Sequence, residues 1–216
     1  MQARQSMRFL VLSASGRDGS WNTTLARLAA EAIRATGPEV DFASIAEFTV
    51  PGYDGDEERA DGIPAGAVRF KERLERAHGF VIVSPEYNAS VPGVLKNLID
   101  WTSRFRPQPF NERQGLVMSA SPSMAGGNRG LWALRVPLEH LGARLYPDMF
   151  SLARAHTAFA ADGGLTDELL RERFRTTIAN WLELVEATTN YPCAKTVWVE
   201  YLGERSDPSY DRAQVG

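Results

Sequence analysis

Residues 78–101 constrain the fold of this chain more than any other segment. Residues 80–83 form a short apolar run, Phe-Val-Ile-Val, without polar alternation, which is typical of a strand covered on both faces. From position 94 onward, apolar residues recur at the spacing of an amphipathic helix, at Val94, Leu95, Leu98, Ile99 and Trp101. The segment therefore predicts a buried strand, a sharp loop and a helix, in that order.

The loop of this segment has the position and composition of a ligand-binding loop. Open α/β sheets bind ligands at the carboxyl ends of their parallel strands, which is where this loop lies. It holds Glu86, Tyr87 and Asn88 between two prolines, Pro85 and Pro92. The alternative is a turn that only reverses the chain, but such a turn does not need these residues between two prolines. We therefore interpret the loop as part of a site.

A second strand, loop and helix stand near the start of the sequence. Residues 9–12 are another buried apolar run, and a helical stripe follows the polar loop at Leu25, Leu28, Ala29, Ala32 and Ile33. Ser20, Asn22 and Thr23 are residue types that cap a helix start, where free N–H groups attract an anion. Arg17 adds a permanent charge suited to phosphate. The loop has neither Walker A nor G-x-G-x-x-G spacing, and a capped helix with a solvated arginine remains the alternative.

A third loop follows the predicted strand of residues 115–120 and precedes a helix predicted for residues 130–141. Its glycine pair, Gly126 and Gly127, permits close approach of the backbone to a flat ligand. Two glycines at a strand-to-helix turn are also ordinary. This loop therefore supports the site predicted from the other two without establishing one alone.

The first two loops resemble the signatures of the NAD(P)H-dependent FMN reductase family, which has a flavodoxin-like fold and includes chromate, quinone and azo-dye reductases. The family's phosphate loop reads Gly-Ser-x-Arg-x-x-Ser-x-Asn, and this chain matches it at Ser15, Arg17, Ser20 and Asn22, with Ala14 in place of the glycine. The second signature, Pro-Glu-Tyr-Asn-x-Ser-x-Pro-Gly-x-Leu-Lys-Asn-x-Ile-Asp-Trp, is matched without a break over residues 85–101. The resemblance extends over residues 7–187 in architecture, and only the two loops are specific to the family.

The resemblance implies an FMN site, with NADPH or NADH as the hydride donor. Because the flavin carries the chemistry, we expect no catalytic residue from the protein. The residues implied to hold the phosphate are Ser15, Arg17, Ser20, Trp21, Asn22 and Thr23. Those implied to line the ribityl chain and ring are Pro85, Glu86, Tyr87, Asn88 and Ser90, with Ser121, Met124, Gly126 and Gly127 closing the far side. For Glu86 the resemblance implies that its loop's backbone lies along the flavin and that its carboxylate is not an acid or base.

The alternation of strands and helices predicts an α/β fold, a flavodoxin-like doubly wound sheet of five parallel strands with helices on both faces. Residues 40–45 supply another strand, and residues 145–152 supply the fifth, interrupted by Pro147. Residues 51–64 contain five acidic side chains, which predict a solvated loop. The alternative is a flap over a cleft.

The sequence divides into a flavodoxin-like FMN-binding domain, residues 1–187, and a C-terminal extension, residues 188–216. A long helix is expected to end near the boundary, and residues 196–202 alternate as a strand. That strand would pack on its own sheet edge or clasp a partner subunit. We expect at least a homodimer, and the resemblance also implies a homotetramer as the larger assembly. Trp101 and Phe105 are expected at the interface. The alternative is that both complete the monomer core.

Composition excludes several other functions. The formal net charge of −3 gives no electrostatic case for nucleic acid or an anionic membrane. Cys193 is the only cysteine, so an internal disulfide is impossible and a cytoplasmic location is the expectation. The three histidines, His78, His140 and His156, lack the spacing of metal ligands, and no serine stands in a G-x-S-x-G elbow.

Two classes of function follow from these expectations. The first is an enzyme that takes hydride from NAD(P)H and reduces free flavin, a quinone, an azo compound or a metal oxyanion. The second is a non-enzymatic FMN-binding electron carrier or a flavin-dependent sensor, and a purely assembling role without FMN is a third, weaker option. A small-molecule electron acceptor and a second copy of the chain are the expected partners.

Overall fold

The structure is a computed structural model that describes residues 6–190. Its sheet is built from β1 (Arg8–Ser13), β2 (Glu39–Ser44), β3 (Gly79–Val83), β4 (Gln114–Ala120), β5 (Arg144–Leu145) and β6 (Phe150–Leu152). All pairings are parallel, in the order β2-β1-β3-β4-β5, and β6 also pairs with β4. β5 and β6 are therefore two halves of one edge strand, which confirms a fifth strand interrupted at Pro147.

Helices cover both faces of this sheet. They are α1 (Trp21–Arg34), α2 (Gly55–Asp61), α3 (Ala65–Glu75), α4 (Gly93–Thr102), α5 (Asn128–His140), α6 (Ala155–Ala158) and α7 (Glu168–Asn190), with a 3₁₀ helix at Ile45–Phe48. One core layer joins α1, α6 and α7 to the sheet, and the other joins α3, α4 and α5. The strand order and the two helical layers confirm the flavodoxin-like, doubly wound fold.

The apolar strand runs follow from this layering. In β1, Phe9 and Val11 face the layer of α1 and α7, whereas Leu10 and Leu12 face the layer of α3 and α4. Because successive side chains point to opposite faces of a strand, a strand with helices on both sides needs apolar residues at every position. This is the reason that residues 9–12 and 80–83 show no polar alternation.

The acidic segment of residues 51–64 is not a plain loop, because it contains α2. No residue of α2 is buried, so the predicted solvation is confirmed although the helix was missed. The start of the segment is fixed to α4, since the side chain of Asn97 donates to the Pro51 carbonyl (2.7 Å) and accepts from the Tyr53 N–H (2.9 Å). The segment therefore lies against α4 as a docked strap.

Trp101 belongs to the core of the monomer, contrary to its predicted place at an interface. Its side chain is 1% exposed, and its indole N–H donates to the Pro51 carbonyl at 2.8 Å. The helix ends at Thr102 and does not continue to Phe105, which is half-buried with the Lys71 ammonium over its ring. The signature tryptophan thus packs the strap onto α4.

The predicted boundary at residue 187 falls inside the last turn of α7, which ends at Asn190. The predicted strand at residues 196–202 and the interface arm lie outside the described residues. Within residues 6–190, no helix is both long enough and apolar enough to cross a membrane.

Candidate functional site

The three predicted loops meet at one edge of the sheet. β1, β3 and β4 are adjacent and parallel, so their carboxyl ends point the same way. The chain leaves β1 toward β2 on one side and returns to β3 on the other, which opens a crevice at the point where the strand order reverses. Two backbone bonds join the loop bases, from the Ala14 N–H to the Val83 carbonyl (2.9 Å) and from the Ser84 N–H to the Met118 carbonyl (2.9 Å). The structure thus brings the loops together.

The first loop ends at a helix start that presents free N–H groups. Ser20 is the N-cap of α1, and its hydroxyl accepts from the Asn22 N–H at 3.2 Å. Among the residues that the structure describes, the N–H groups of Trp21 and Thr23 meet no acceptor. Ser15 and Ser20 are buried beside them. A helix start with unpaired N–H groups is suited to an anion such as phosphate.

Arg17 supplies the positive charge of this loop. Its side chain is exposed, and its guanidinium lies 5.6 Å from the centre of the Trp21 ring. No described carboxylate forms an ion pair with it. An arginine that is held by an aromatic ring and not by an acid keeps its hydrogen-bond donors for a ligand, which fits the predicted contact with phosphate.

Asn22 and Thr23 differ from their neighbours because their side chains turn toward the sheet. Asn22 is 5% exposed, and its amide donates to the Ala120 carbonyl (2.8 Å) and accepts from the Ala120 N–H (2.9 Å). The hydroxyl of Thr23 lies 2.8 Å from that of Ser13. The polar atoms of these two side chains are therefore engaged within the protein and hold the loop in place, and their contact with phosphate stays a prediction.

The second loop contains a tight turn that stands out from the surface. Tyr87 and Ser90 exchange two backbone hydrogen bonds of 3.0 Å, and Asn88 (φ 52°) and Ala89 (φ 62°) occupy the left-handed region between them. Asparagine tolerates this conformation, whereas for alanine it costs about 1–2 kcal/mol. Strain of this kind concentrates at functional sites. The turn leaves the side chain of Tyr87 52% exposed beside the crevice, while Pro85 is buried beneath it.

Glu86 joins the second loop to the helix that follows the third. Its carboxylate accepts from the Gly130 N–H (3.0 Å) and from the Arg129 Nε (2.9 Å), at the start of α5. Burial alone would raise the pKa of Glu86, but the hydrogen bonds from Gly130 and Arg129 outweigh it and lower the pKa below the usual carboxyl range. The carboxylate is therefore ionised at neutral pH, and both of its oxygens are engaged by the start of α5. Sequence reasoning missed Arg129, because nothing in the sequence links positions 43 residues apart.

We expect Glu86→Gln to lower the free energy of unfolding by about 1–2 kcal/mol at pH 7, because a negative charge at a helix start is lost. The pKa of Glu86 is lowered in the folded protein, so its contribution is present at neutral pH and disappears as the pH falls through that pKa. Urea unfolding of both proteins at pH 7 and about pH 3 should show the difference shrinking in acid. An equal difference at both pH values would contradict the ionic role.

The third loop is shaped by its glycines. Gly126 (φ 61°) and Gly127 (φ 84°) are both left-handed, and a Cβ on Gly127 would lie 2.8 Å from the Cβ of Ser119. The loop's exposed tip is Met124, whose sulfur accepts from the Arg154 Nε at 3.0 Å. Ser121 accepts from the Ser123 N–H at 3.2 Å, which closes the first turn of the loop. No sequence pattern pointed to Arg154, whose backbone also lies in the left-handed region (φ 49°).

Among the described residues, the histidines belong to no group of side chains that could hold a metal ion. His78 accepts from the Arg8 N–H at 3.0 Å, at the opposite edge of the sheet, and the His156 ring lies 6.4 Å from that of Trp21. In the described part of the chain, no group of three or more His, Cys, Asp or Glu side chains could hold a metal ion. The polar groups that converge at the crevice are those of the three loops.

Comparison with known proteins agrees with this geometry. The family described as NADPH-dependent FMN reductase matches residues 7–157. The quinone reductase of Escherichia coli K12 is 38% identical over 139 residues, which cover 64% of this chain and 73% of that protein. The NAD(P)H-dependent FMN reductase of Pseudomonas aeruginosa is 34% identical over 167 residues, which cover 77% of this chain and 88% of that protein.

A solved structure of a flavoenzyme has a similar fold. FerB, a flavoenzyme NAD(P)H:(acceptor) oxidoreductase from Paracoccus denitrificans, is 27% identical with a TM-score of 0.72, covering 83% of this chain and 97% of its own. The matched span of residues 7–157 contains all three loops of the crevice. The resemblance predicted from residues 15–22 and 85–101 is thereby confirmed, together with its FMN and NAD(P)H dependence. On this fold, these loops and these matches, the chain belongs to the NADPH-dependent FMN reductase family.

Proposed function

We propose that this protein transfers electrons from NADPH or NADH, by way of bound FMN, to a small-molecule acceptor, with a quinone as the first candidate. The observation that carries the proposal is the helix start at residues 20–23, where free N–H groups and Arg17 lie beside a crevice at the strand-order reversal. A quinone is favoured because relatives from Escherichia coli and from rice and potato are named as quinone reductases or oxidoreductases. Free flavin, an azo compound and a metal oxyanion are the other acceptors to test.

The residues present fit FMN. The Trp21 and Thr23 N–H groups and the Arg17 guanidinium would hold the phosphate, with Ser15 and Ser20 beside them. The turn at residues 87–90 and the glycines at 126–127 would hold the ring. When bound, FMN supplies the hydride and electron transfer. FMN is preferred to FAD because its phosphate would end against the helix start.

The protein's own residues bind and orient in this proposal. Glu86 is tied to Gly130 and Arg129, so it fixes the ring loop and does not move a proton. Tyr87, in the second loop, and Met124, in the third, are 52% and 70% exposed. An aromatic ring and a thioether suit a flat, partly apolar acceptor. The strained turn and the two glycines keep the backbone close to the ring they would hold.

The proposal is tested by anaerobic mixing of the FMN-loaded protein with NADPH and, separately, with NADH. Rapid loss of the flavin absorption, followed by its return on addition of a quinone, is the expected result. Reduction by neither donor would favour the electron carrier or sensor. Protein that takes up no FMN in titration would contradict the cofactor assignment itself.

We expect Arg17→Ala to weaken FMN binding by about 1.5–3 kcal/mol, the range for hydrogen bonds to charged groups. Riboflavin lacks the phosphate, so its affinity should stay the same, and equilibrium fluorescence titration with both flavins separates the two. Arg27→Ala, which removes an arginine of α1 and not of the phosphate loop, is the matched control for general charge. An unchanged FMN affinity in Arg17→Ala would remove Arg17 from the phosphate site.

The proposed assembly is a homodimer, with a homotetramer as the larger alternative. The outer faces of α4 and α5 expose apolar side chains, Val94 (61%), Trp132 (58%) and Val136 (70%). Between these helices lies a groove of about 370 Å³ lined by residues that include Val91, Ala133, Val136 and Pro137. An exposed apolar area of this kind marks interaction surfaces. Light scattering of the parent and of Val136→Glu should show a dimer and a smaller species, respectively, and a monomeric parent would contradict the dimer.

Location in the cytoplasm is likewise a proposal, supported by the single cysteine of the sequence. Fractionation of cells that express the full chain tests it.

A further inference from the structure

We infer that Asn22 is a positioning residue that sets the phosphate-binding start of α1 against the ring-binding loop after β4, without touching the phosphate. This inference rests on the proposed flavin site, and it differs from the sequence prediction that Asn22 binds phosphate. It concerns how the protein itself shapes the crevice, so flavin affinity, and not turnover, is the quantity that reports it.

The side chain of Asn22 is committed to the backbone of one distant residue. Its Nδ2 donates to the Ala120 carbonyl at 2.8 Å, and its Oδ1 accepts from the Ala120 N–H at 2.9 Å. Both bonds are buried, and they join positions 98 residues apart. A primary amide is the side-chain group that offers a donor and an acceptor side by side, as a peptide unit requires. Asn22 therefore completes the end of β4 as a neighbouring strand would.

Ala120 is the point from which the third loop begins. It is the last residue of β4, and the following residue, Ser121, is held from the other side by its N–H bond to the Leu152 carbonyl at 3.0 Å. The loop then runs to Gly126 and Gly127. Fixing Ala120 therefore fixes where this loop starts relative to α1, because Asn22 is the second residue of that helix.

A flavin that spans the crevice would contact both ends of this link. The phosphate would lie at the start of α1, and the ring would lie against the third loop. If the two parts were free to separate, binding would have to order them, and that cost would reduce the affinity. Because both hydrogen bonds of Asn22 lie within the protein, a flavin would meet two parts that are already held together.

Comparison of FMN with riboflavin distinguishes positioning from phosphate contact. In Asn22→Ala, we expect the affinities for both flavins to fall by a similar factor of about 10, equivalent to ~1.4 kcal/mol. In Arg17→Ala, only the FMN affinity should fall. Asn22→Ser keeps a polar group at this buried position, and it serves as the second variant should Asn22→Ala fold poorly. Ile178→Val, in the core of α7, is the control that lowers stability alone and should leave both affinities unchanged.

Three results would overturn or redirect the inference. A loss confined to FMN would restore the phosphate contact and contradict positioning. Unchanged affinities for both flavins, with a lowered melting temperature, would make Asn22 a structural residue only. If the parent protein binds neither flavin, the proposed function fails, and this outcome is distinct from a failure of the Asn22 variants alone.

Discussion

Replacement of Gly127 by alanine is expected to lower the free energy of unfolding by about 2–5 kcal/mol. The left-handed conformation costs a residue with a Cβ about 1–2 kcal/mol, and overpacking costs a further 1–3 kcal/mol. Both apply here, because φ is 84° and the new methyl group would overlap the Ser119 hydroxyl, with the Ser119 Cβ only 2.8 Å away. Ser119 is fully buried at the end of β4 and cannot move into solvent.

Gly163→Ala is the matched control for this prediction. Gly163 has almost the same φ, 85°, but a Cβ there would meet only the Thr24 methyl group at an ordinary 3.6 Å. Urea unfolding of both variants without flavin therefore separates the cost of backbone conformation from the cost of the clash. Equal losses in the two variants would show that the third loop shifts to accept the methyl group. The double variant Ser119→Gly with Gly127→Ala should recover part of the loss.

Trp101→Ala is expected to cost about 3–5 kcal/mol, the range for removal of a large buried aromatic side chain. Trp101 is 1% exposed and contacts the Tyr53 ring, whose centre lies 5.0 Å away in an edge-to-face arrangement. The same change removes one of the two donors to the Pro51 carbonyl. We therefore expect the strap to loosen, and limited trypsin digestion should cleave faster at Arg59, on the exposed α2.

Trp101→Phe separates packing from the hydrogen bond. It keeps most of the aromatic volume and loses only the indole N–H, which is worth about 0.5–1.5 kcal/mol. The loss should lie at the low end, because Asn97 still donates to the Pro51 carbonyl at 2.7 Å. Unfolding and cleavage rates measured together decide the matter. A destabilised Trp101→Ala variant whose strap is cleaved at the parental rate would show that Trp101 does not hold the strap.

The sequence predicted the parts of the fold that depend on local pattern. The unbroken apolar runs located β1 and β3, since a strand between two helical layers shows no alternation. Pro147 located the break in the edge strand, because proline cannot take part in a continuous ladder. The predicted phosphate and ring loops lie at one sheet edge because parallel strands end together. The match over residues 7–157 confirmed the family that residues 85–101 resembled.

The parts that sequence reasoning missed depend on contacts between distant positions. Asn22 reads as a helix cap or a phosphate ligand, and only the fold reveals Ala120 beside it. Glu86 reads as a free carboxylate until α5 brings Gly130 within 3.0 Å. The aromatic residues at the end of α4 predict an interface for Trp101, but the carbonyl that accepts from its indole belongs to a segment 50 residues earlier. The local sequence pattern indicates which residues are candidates for a site. The tertiary fold determines which of these side chains are left free to contact a ligand.

The two outer strands of the sheet limit how copies of this chain can associate. One border is formed by β5 and β6, which have two and three residues and are separated by Pro147. The other is β2, where Glu39 pairs with Arg8 and Asp41 pairs with Arg73. Short, interrupted or charged borders discourage another strand from adding to a sheet. The described domain is therefore protected at both borders from growth into a continuous intermolecular sheet. A variant that aggregates through its strands would first have to lose the break at Pro147 or the charged residues of β2.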